Sequence, residues 1–184
     1  MSRNLALYGM MGVGKSTVAR ELGERLGRRV ADSDEELRRW TGRSIPELFA
    51  AHGEAGFRDL ERQVVEELAR FHDLVVALGG GAVLRDDNVA SLLLTGVLVR
   101  LDAPAEVLVE RLASDAATDG RPLLDGDLEV SVRTTLTARS PRYAEVADVT
   151  IDAARPVAEV VDDILAWAVA QGDVLTPSEH EQVM

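Results

Sequence analysis

The segment from Gly9 to Ser16 carries a residue pattern typical of a phosphate-binding loop. Its residues fit G-x-x-x-x-G-K-[ST], with an apolar segment before the motif and a helical pattern after it. Glycine allows backbone angles that turn successive N–H groups inward, and the start of the following helix adds partial positive charge. Lys15 can reach the terminal phosphates, and the Ser16 hydroxyl can ligate Mg²⁺. The segment predicts a site for a nucleoside triphosphate.

The lysine in this motif stands out from the rest of the composition. The sequence has 20 basic residues, and Lys15 is the one lysine among them. An ammonium group is a compact point charge, whereas a guanidinium group is a wide planar fork. A position enclosed by a small loop therefore favours lysine, which is consistent with a phosphate contact at this position.

Asp32 and Asp34 follow a short apolar segment and are separated by one residue. On an extended backbone their side chains face the same way, at the end of a strand where open α/β sheets bind ligands. One carboxylate can join the Mg²⁺ shell, and the other can contact an acceptor hydroxyl as a base or orienting group. The alternative is helix capping, with Ser33 as the cap followed by acidic residues in the first turn. Both interpretations stay open at this point.

A glycine triplet and three arginines are further candidates. Gly79–Gly81 follows an apolar strand, and the missing side chains leave room for a ligand against bare amides; the alternative is a flexible turn, although a triplet is more than a simple turn needs. Arg58 and Arg139 could grip a carboxylate through bidentate contacts, and Arg121 could approach a transferring phosphoryl group from a closing loop. The alternative for each arginine is a solvated surface position.

The elements that must position these residues alternate between short apolar strands and amphipathic helices. This alternation favours a parallel sheet flanked by helices. Residues 114–127 are predicted to form a mobile loop, and the helix before Pro141 is predicted to stop there. We expect one domain over residues 1–171 and a polar, frayed tail over 172–184. The predicted strands are 5–8, 29–31, 74–78, 97–101 and 149–151, and the predicted helices are 16–26, 45–51, 54–71, 86–94, 104–113, 128–139 and one from 156 onward.

Composition excludes several classes of protein. With 184 residues the chain is long enough for a core without covalent staples, and the absence of cysteine excludes disulfides, thiolate metal sites and thiol catalysis. A net charge of -12 argues against nucleic-acid binding and against adhesion to anionic lipid. No apolar run reaches the length of about 18 residues that a membrane span needs. We expect a cytoplasmic protein with no membrane or nucleic-acid partner.

Together and in this order, these segments resemble the shikimate kinase family, a branch of the P-loop proteins related to nucleoside-monophosphate kinases. The resemblance extends from residue 4 to about residue 168. The segments that carry it are the phosphate loop, 32–34, 41–45, 53–61 with Phe57, Arg58 and Glu61, 78–83, 121–124 and 139–143.

The resemblance implies a three-layer α/β/α fold with a five-stranded parallel sheet in the order 2-3-1-4-5 and a mobile lid over about 114–127. It also implies the reaction of ATP with shikimate to give ADP and shikimate 3-phosphate, with Mg²⁺ as cofactor. This reaction is a step towards chorismate and the aromatic amino acids. A monomer is expected.

The resemblance further implies a role for each candidate residue. The catalytic residues would be Lys15, Asp34 and Arg121, with Asp34 as the base or orienting group. The Mg²⁺ site would consist of Ser16 and Asp32, with Asp32 in the outer shell of the ion. The ATP site would consist of Gly12, Val13, Gly14, Lys15, Ser16, Thr17 and Arg121. The shikimate site would consist of Asp34, Arg58, Glu61, Gly79, Gly80, Gly81 and Arg139, with both arginines on the carboxylate and Glu61 orienting Arg58.

Three alternatives stay open. A related kinase could use gluconate or a nucleoside monophosphate as acceptor, although no base pocket for a second nucleotide can be identified. A protein on the same scaffold could bind ATP as a regulator without catalysis. The paired aspartates, the two arginines and the glycine triplet favour a polyhydroxy carboxylic acid as acceptor.

Overall fold

The centre of the molecule is a parallel sheet of five strands in the order β2-β3-β1-β4-β5. The structure, a computed structural model, describes residues 2–119 and 127–184. This strand order confirms the predicted topology. The strands are β1 (Asn4–Tyr8), β2 (Arg29–Asp32), β3 (Leu74–Ala77), β4 (Gly96–Asp102) and β5 (Val149–Asp152).

Helices cover both faces of the sheet, as predicted. The helices in the described residues are α1 (Lys15–Leu26), α2 (Ser33–Thr41), α3 (Ile45–Leu68), α4 (Asp86–Thr95), α5 (Ala105–Asp119), α6 (Leu128–Glu145), α7 (Val157–Gln171) and α8 (Pro177–Val183), with a short 3-10 helix at Ala82–Leu84. Helices α1 and α7 pack against each other, as do α3 and α4, and α1 and α4 also contact the sheet. In the described ranges, no helix is long and apolar enough to cross a membrane.

The core sits at the central strands. Every residue of β1 and of β3 is buried, which matches their nearly continuous apolar sequences, because a parallel strand in such a sheet has helices on both faces. Leu5 pairs with Val75 on one side and with Val97 on the other. Burial of each such side chain stabilises the fold by about 1.5–3 kcal/mol relative to exposure. The central strands therefore form a rigid base for the loops at their carboxyl ends.

Helix α3 contains the break that separates the two helices predicted there. Gly53 has a φ of 66° and a ψ of -178°, so the backbone leaves the helical region at this residue. The helix starts with the predicted capping box, in which the Ser44 N–H donates to Glu47 Oε2 at 2.8 Å. It ends at Leu68, three residues before the predicted end.

Two further predicted helix ends are wrong. Helix α6 continues through Pro141 to Glu145. Proline costs the helix one backbone hydrogen bond, and burial of Tyr143 two residues later helps to hold the helix together across the proline. Helix α5 continues to Asp119, so the first part of the predicted 114–127 lid is helical. The remainder of that lid that falls in 120–126, with Arg121, lies outside the described residues.

The prediction of a frayed C-terminal tail is also wrong. Helix α8 begins with a capping box between Thr176 and Glu179, a pattern visible in the sequence itself. Glu179 accepts hydrogen bonds from Arg28 Nε at 2.6 Å and from Arg28 Nη2 at 2.9 Å. Arg28 also donates to the Val174 and Arg3 carbonyl oxygens. One buried guanidinium therefore ties the C-terminal segment to the residue before β1.

The substitution Glu179→Ala tests this tie. The Arg28 side chain is 2% exposed and that of Glu179 is 10% exposed, so the substitution leaves a buried charge without its partner. We expect a loss of about 3 kcal/mol in the free energy of unfolding, measured by urea denaturation. The control is Glu67→Ala, which breaks an exposed pair with Arg70 and should cost about 0.5 kcal/mol. Equal losses in the two variants would contradict the proposed tie.

Candidate active site

The phosphate loop connects β1 to α1 through backbone conformations that favour glycine. Gly12 and Gly14 have φ angles of 78° and 99°, in the left-handed region that costs other residues strain. A Cβ added to Gly9 would lie 2.3 Å from the Leu101 carbonyl oxygen, so this position also lacks room for a side chain. The Lys15 ammonium folds back over the loop and donates to the carbonyl oxygens of Gly9 and Met10, both at 3.0 Å.

The local environment changes the acidity of Lys15. Burial of the ammonium lowers the pKa of Lys15 to about 8, against the opposing attraction of Asp34 and Asp32. The group therefore stays mainly charged at neutral pH, but its positive charge is weakly solvated. Such a cation gains much from a phosphate group, because the attraction is stronger where water is excluded.

A cavity of about 430 Å³ adjoins the phosphate loop, and Thr17 is among the loop residues that line it. Arg111 on α5 and Arg155 after β5 also line this cavity. Arg111 donates to the carbonyl oxygens of Val13 at 3.1 Å and Ala153 at 2.9 Å. Arg111 thus holds the loop against the start of the segment between β5 and α7, a structural role that the phosphate-loop motif does not reveal.

Ser16 and Asp32 form an oxygen-rich pair at the start of α1. The Ser16 hydroxyl donates to Asp32 Oδ2 at 2.7 Å. Asp32 Oδ1 accepts hydrogen bonds from the N–H groups of Asp34 and Glu35 and so caps α2. The capping interpretation is therefore correct for this helix, with Asp32 rather than Ser33 as the cap.

This pair fits Mg²⁺, which prefers hard oxygen ligands and is commonly held by one or two protein groups together with phosphates and water. Among the described residues there is no group of three or more His, Asp or Glu side chains placed to hold a metal. A single hydroxyl and a single carboxylate beside a phosphate site match the coordination pattern of Mg²⁺ bound to a nucleotide. Ser16 and Asp32 are the residues that would hold it.

Asp34 and Glu61 meet at the first glycine of the triplet. A Cβ added to Gly79 would lie 2.8 Å from Asp34 Oδ1 and 3.0 Å from Glu61 Oε1. The Gly79 N–H donates to Ser33 Oγ at 2.8 Å, which fixes the triplet to the start of α2. Burial raises the pKa of Asp34, as does the nearby Asp32 carboxylate, while Lys15 opposes the shift. A carboxylate with a raised pKa is a better proton acceptor than an ordinary aspartate.

Two guanidinium groups approach the other glycines. A Cβ added to Gly81 would lie 2.1 Å from Arg58 Nη1. Arg58 Nη1 donates to Glu61 Oε2 at 2.8 Å, and Glu61 is 2% exposed. Arg139 Nη1, from α6, donates to the Gly80 carbonyl oxygen at 3.2 Å. Two cations from different helices therefore converge on bare backbone, an arrangement suited to a carboxylate ligand.

The structure brings together most of the residues that the sequence singles out. Phosphate-site, metal-site and acceptor-site candidates all lie at the carboxyl ends of β1, β2 and β3. Arg121 lies outside the described residues, so its contribution stays a prediction. The predicted site residues that lie near one another at this edge are Gly12, Val13, Gly14, Lys15, Ser16, Thr17, Asp32, Asp34, Arg58, Glu61, Gly79, Gly80, Gly81 and Arg139.

Three aromatic residues near this set have no role assigned from the sequence: Phe49, Phe57 and Tyr143. The rings of Phe49 and Phe57 stack with centroids 4.1 Å apart, and the Arg58 guanidinium lies 5.3 Å from the Phe57 centroid. Phe49 is 37% exposed. Tyr143 donates its hydroxyl hydrogen to the Gly80 carbonyl oxygen. The position of Tyr143 one helical turn after Arg139 is the signal that could have identified it.

The lowered pKa of Lys15 gives a testable pH dependence for nucleotide binding. Only the charged ammonium attracts phosphate, so the affinity for ATP should be constant below the pKa of about 8. Above it, the Kd should rise by about tenfold per pH unit, because binding then requires uptake of a proton. Titration of wild type from neutral to alkaline pH measures this slope, and Lys15→Gln should bind weakly with no such slope. A flat wild-type profile would contradict the assignment.

Comparison with known proteins identifies the family. The family model for shikimate kinase matches residues 11–169. A shikimate kinase of Salinibacter ruber is 43% identical over 176 residues, which cover 91% of this chain and 85% of that relative. A shikimate kinase of Pseudomonas entomophila is 43% identical over 165 residues, which cover 89% of this chain and 94% of the relative. The solved structure of shikimate kinase from Acinetobacter baumannii in complex with shikimate has a TM-score of 0.84 and 39% identity, covering 93% of this chain and 95% of that one. This chain belongs to the shikimate kinase family.

Proposed function

We propose that this protein transfers the γ-phosphoryl group of ATP to the 3-hydroxyl of shikimate, giving ADP and shikimate 3-phosphate. The observation that carries the proposal is the convergence of Asp34, Arg58 and Arg139 on one glycine triplet beside the phosphate loop. A Cβ added to Gly80 would lie 3.4 Å from the Gly9 carbonyl oxygen, so the two loops are in close proximity. Family membership and the shikimate bound to the Acinetobacter baumannii relative support the same acceptor.

The transfer follows from the chemistry of these groups. The acceptor hydroxyl oxygen forms a bond to the γ-phosphorus, and the bond from that phosphorus to the bridging oxygen of ADP breaks. The hydroxyl proton passes to the Asp34 carboxylate, whose pKa is raised by burial. Lys15 and the N-terminus of α1 stabilise negative charge on the phosphates. Most of the rate acceleration comes from holding the two reactants in line.

The remaining roles concern the metal and the ends of the two substrates. When bound, Mg²⁺ neutralises phosphate charge, and Ser16 and Asp32 would hold it. Arg58 and Arg139 would hold the shikimate carboxylate, with Glu61 orienting Arg58 through the bond at 2.8 Å. Arg121 would approach the ATP phosphates. A cytoplasmic location and a monomeric state stay predictions from the sequence.

A parallel acceptor assay tests the proposed function. Purified protein with Mg-ATP is given shikimate, gluconate, a nucleoside monophosphate or no acceptor, and ADP release is followed. We expect turnover with shikimate alone. Turnover with gluconate or a nucleotide instead would contradict the assigned acceptor. ATP binding without turnover in any mixture would favour a regulatory protein.

The substitution Asp34→Asn separates chemistry from nucleotide binding. An amide cannot accept the hydroxyl proton, so kcat should fall by about a hundredfold or more. The Kd for ATP should stay within about twofold of wild type, since the proposal assigns Asp34 to the acceptor and not to the phosphates. The control is Asp59→Asn, the same change at an exposed ion pair with Arg85, which should leave kcat unaltered. A near-normal kcat in Asp34→Asn would remove Asp34 from the proton transfer.

The substitution Gly81→Ala tests the carboxylate site through its backbone. The added Cβ would overlap the end of the Arg58 side chain, which is flexible enough to move without disturbing the fold. We expect the KM for shikimate to rise by about tenfold or more through loss of a charge-assisted contact.

A second background provides the control for that experiment. In an Arg58→Ala protein the space beside Gly81 is free, so Gly81→Ala should raise the KM for shikimate no further. An additional increase in this background would mean that the alanine acts on something other than Arg58, and the argument for the carboxylate site would fail.

A further inference from the structure

Helix α6 directs two donors at a single oxygen of the acceptor loop. Arg139 Nη1 donates to the Gly80 carbonyl oxygen at 3.2 Å. Tyr143, four residues later and on the same face of the helix, donates its hydroxyl hydrogen to the same oxygen. A carbonyl oxygen has two lone pairs and can accept both bonds. The two donors nevertheless differ, since the role proposed for Arg139 requires it to contact a carboxylate.

The Tyr143 ring is held firmly where it stands. Tyr143 is 1% exposed, and its ring meets that of Tyr8 edge to face, with centroids 5.5 Å apart and an interplanar angle of 83°. The Tyr8 hydroxyl donates to the Tyr143 carbonyl oxygen at 2.6 Å. That carbonyl belongs to the last turn of α6, where carbonyl oxygens have no N–H partner within the helix. The Tyr143 hydroxyl thus has little freedom to follow the glycine if the loop moves.

We infer that Tyr143 is a positioning residue, which keeps the Gly80 carbonyl hydrogen-bonded so that Arg139 can leave it for the carboxylate of the acceptor. The inference rests on the proposed function, because it assumes an acceptor that carries a carboxylate. With Tyr143 in place, the departure of Arg139 leaves the Gly80 oxygen with one partner. Without the hydroxyl, the same departure leaves a partly buried carbonyl without a described side-chain donor, which is unfavourable.

The protonation state of Tyr143 supports this role. Burial raises the pKa of the Tyr143 hydroxyl, with the Arg139 guanidinium opposing the shift. The hydroxyl therefore keeps its proton across the physiological range and stays a donor. An acceptor-only oxygen at this place would repel the Gly80 carbonyl instead of holding it.

The substitution Tyr143→Phe removes the hydroxyl and keeps the ring. Arg139 then becomes the remaining described side-chain donor to the Gly80 oxygen, and binding of the carboxylate must compete with that bond. The KM for shikimate should rise by about three- to tenfold, the worth of one hydrogen bond. The kcat at saturating shikimate and the KM for ATP should stay within about twofold.

Tyr8→Phe is the matched control. It removes the other buried hydroxyl of the same ring pair and keeps the edge-to-face contact. The carbonyl oxygen that loses a hydrogen bond is then that of Tyr143 in α6 and not that of Gly80. Both variants should lower the unfolding midpoint by similar amounts, and only Tyr143→Phe should raise the KM for shikimate. An equal rise of this KM in both variants would mean that the effect is one of stability, and it would overturn the inference.

A double-mutant cycle gives a second, independent readout. If Tyr143 acts through Arg139, then Tyr143→Phe should change the KM for shikimate by less than about twofold in an Arg139→Ala background. A full additional increase there would overturn the inference, as would an unchanged KM in Tyr143→Phe alone. These outcomes are distinct from a failure of the proposed function, in which wild type shows no shikimate-dependent ADP release. That result would overturn both.

Discussion

The register of three parallel strands fixes the geometry on which the site depends. Leu7 of β1 and Asp32 of β2 both pair with Ala77 of β3. Two residues beyond this row, the three strands lead to Gly9, Asp34 and Gly79. The phosphate loop, the candidate base and the glycine triplet therefore meet at one edge of the sheet because the strands are parallel neighbours in the order β2-β3-β1. This matches the general tendency of open α/β sheets to bind ligands at the carboxyl ends of their strands.

Three cationic side chains concentrate positive charge at this edge of the sheet. The protein has a net charge of -12, yet Lys15, Arg58 and Arg139 lie against Gly9, Gly81 and Gly80, respectively. Each cation is held by carbonyl oxygens or carboxylates that anionic ligands can replace or share, such as the Gly9 and Gly80 carbonyl oxygens. Phosphate and carboxylate groups of the proposed substrates would therefore enter a site whose donors are already oriented, so that little reorganisation would be needed during the transfer.

Sequence patterns predicted the strand order through family resemblance and most of the site through local motifs. The phosphate loop was recognisable because its constraints are local: positive φ at Gly12 and Gly14, and a lysine that follows directly. The continuation of α6 through Pro141 could not be predicted in this way, because contacts distant in sequence, such as the bond from Tyr8 to Tyr143, help to hold it. The same reason applies to Arg28, whose partner Glu179 lies 151 residues away.

The proposed function requires that Arg58 and Arg139 recognise a carboxylate and thereby place the acceptor hydroxyl opposite the ATP phosphates. The most direct measurement compares shikimate with its methyl ester as acceptors, in wild type and in the Arg58→Ala, Arg139→Ala double variant. We expect esterification to lower kcat/KM by about a hundredfold or more in wild type, through loss of two charge-assisted contacts, and to have little effect in the double variant. Equal use of acid and ester by wild type would contradict it.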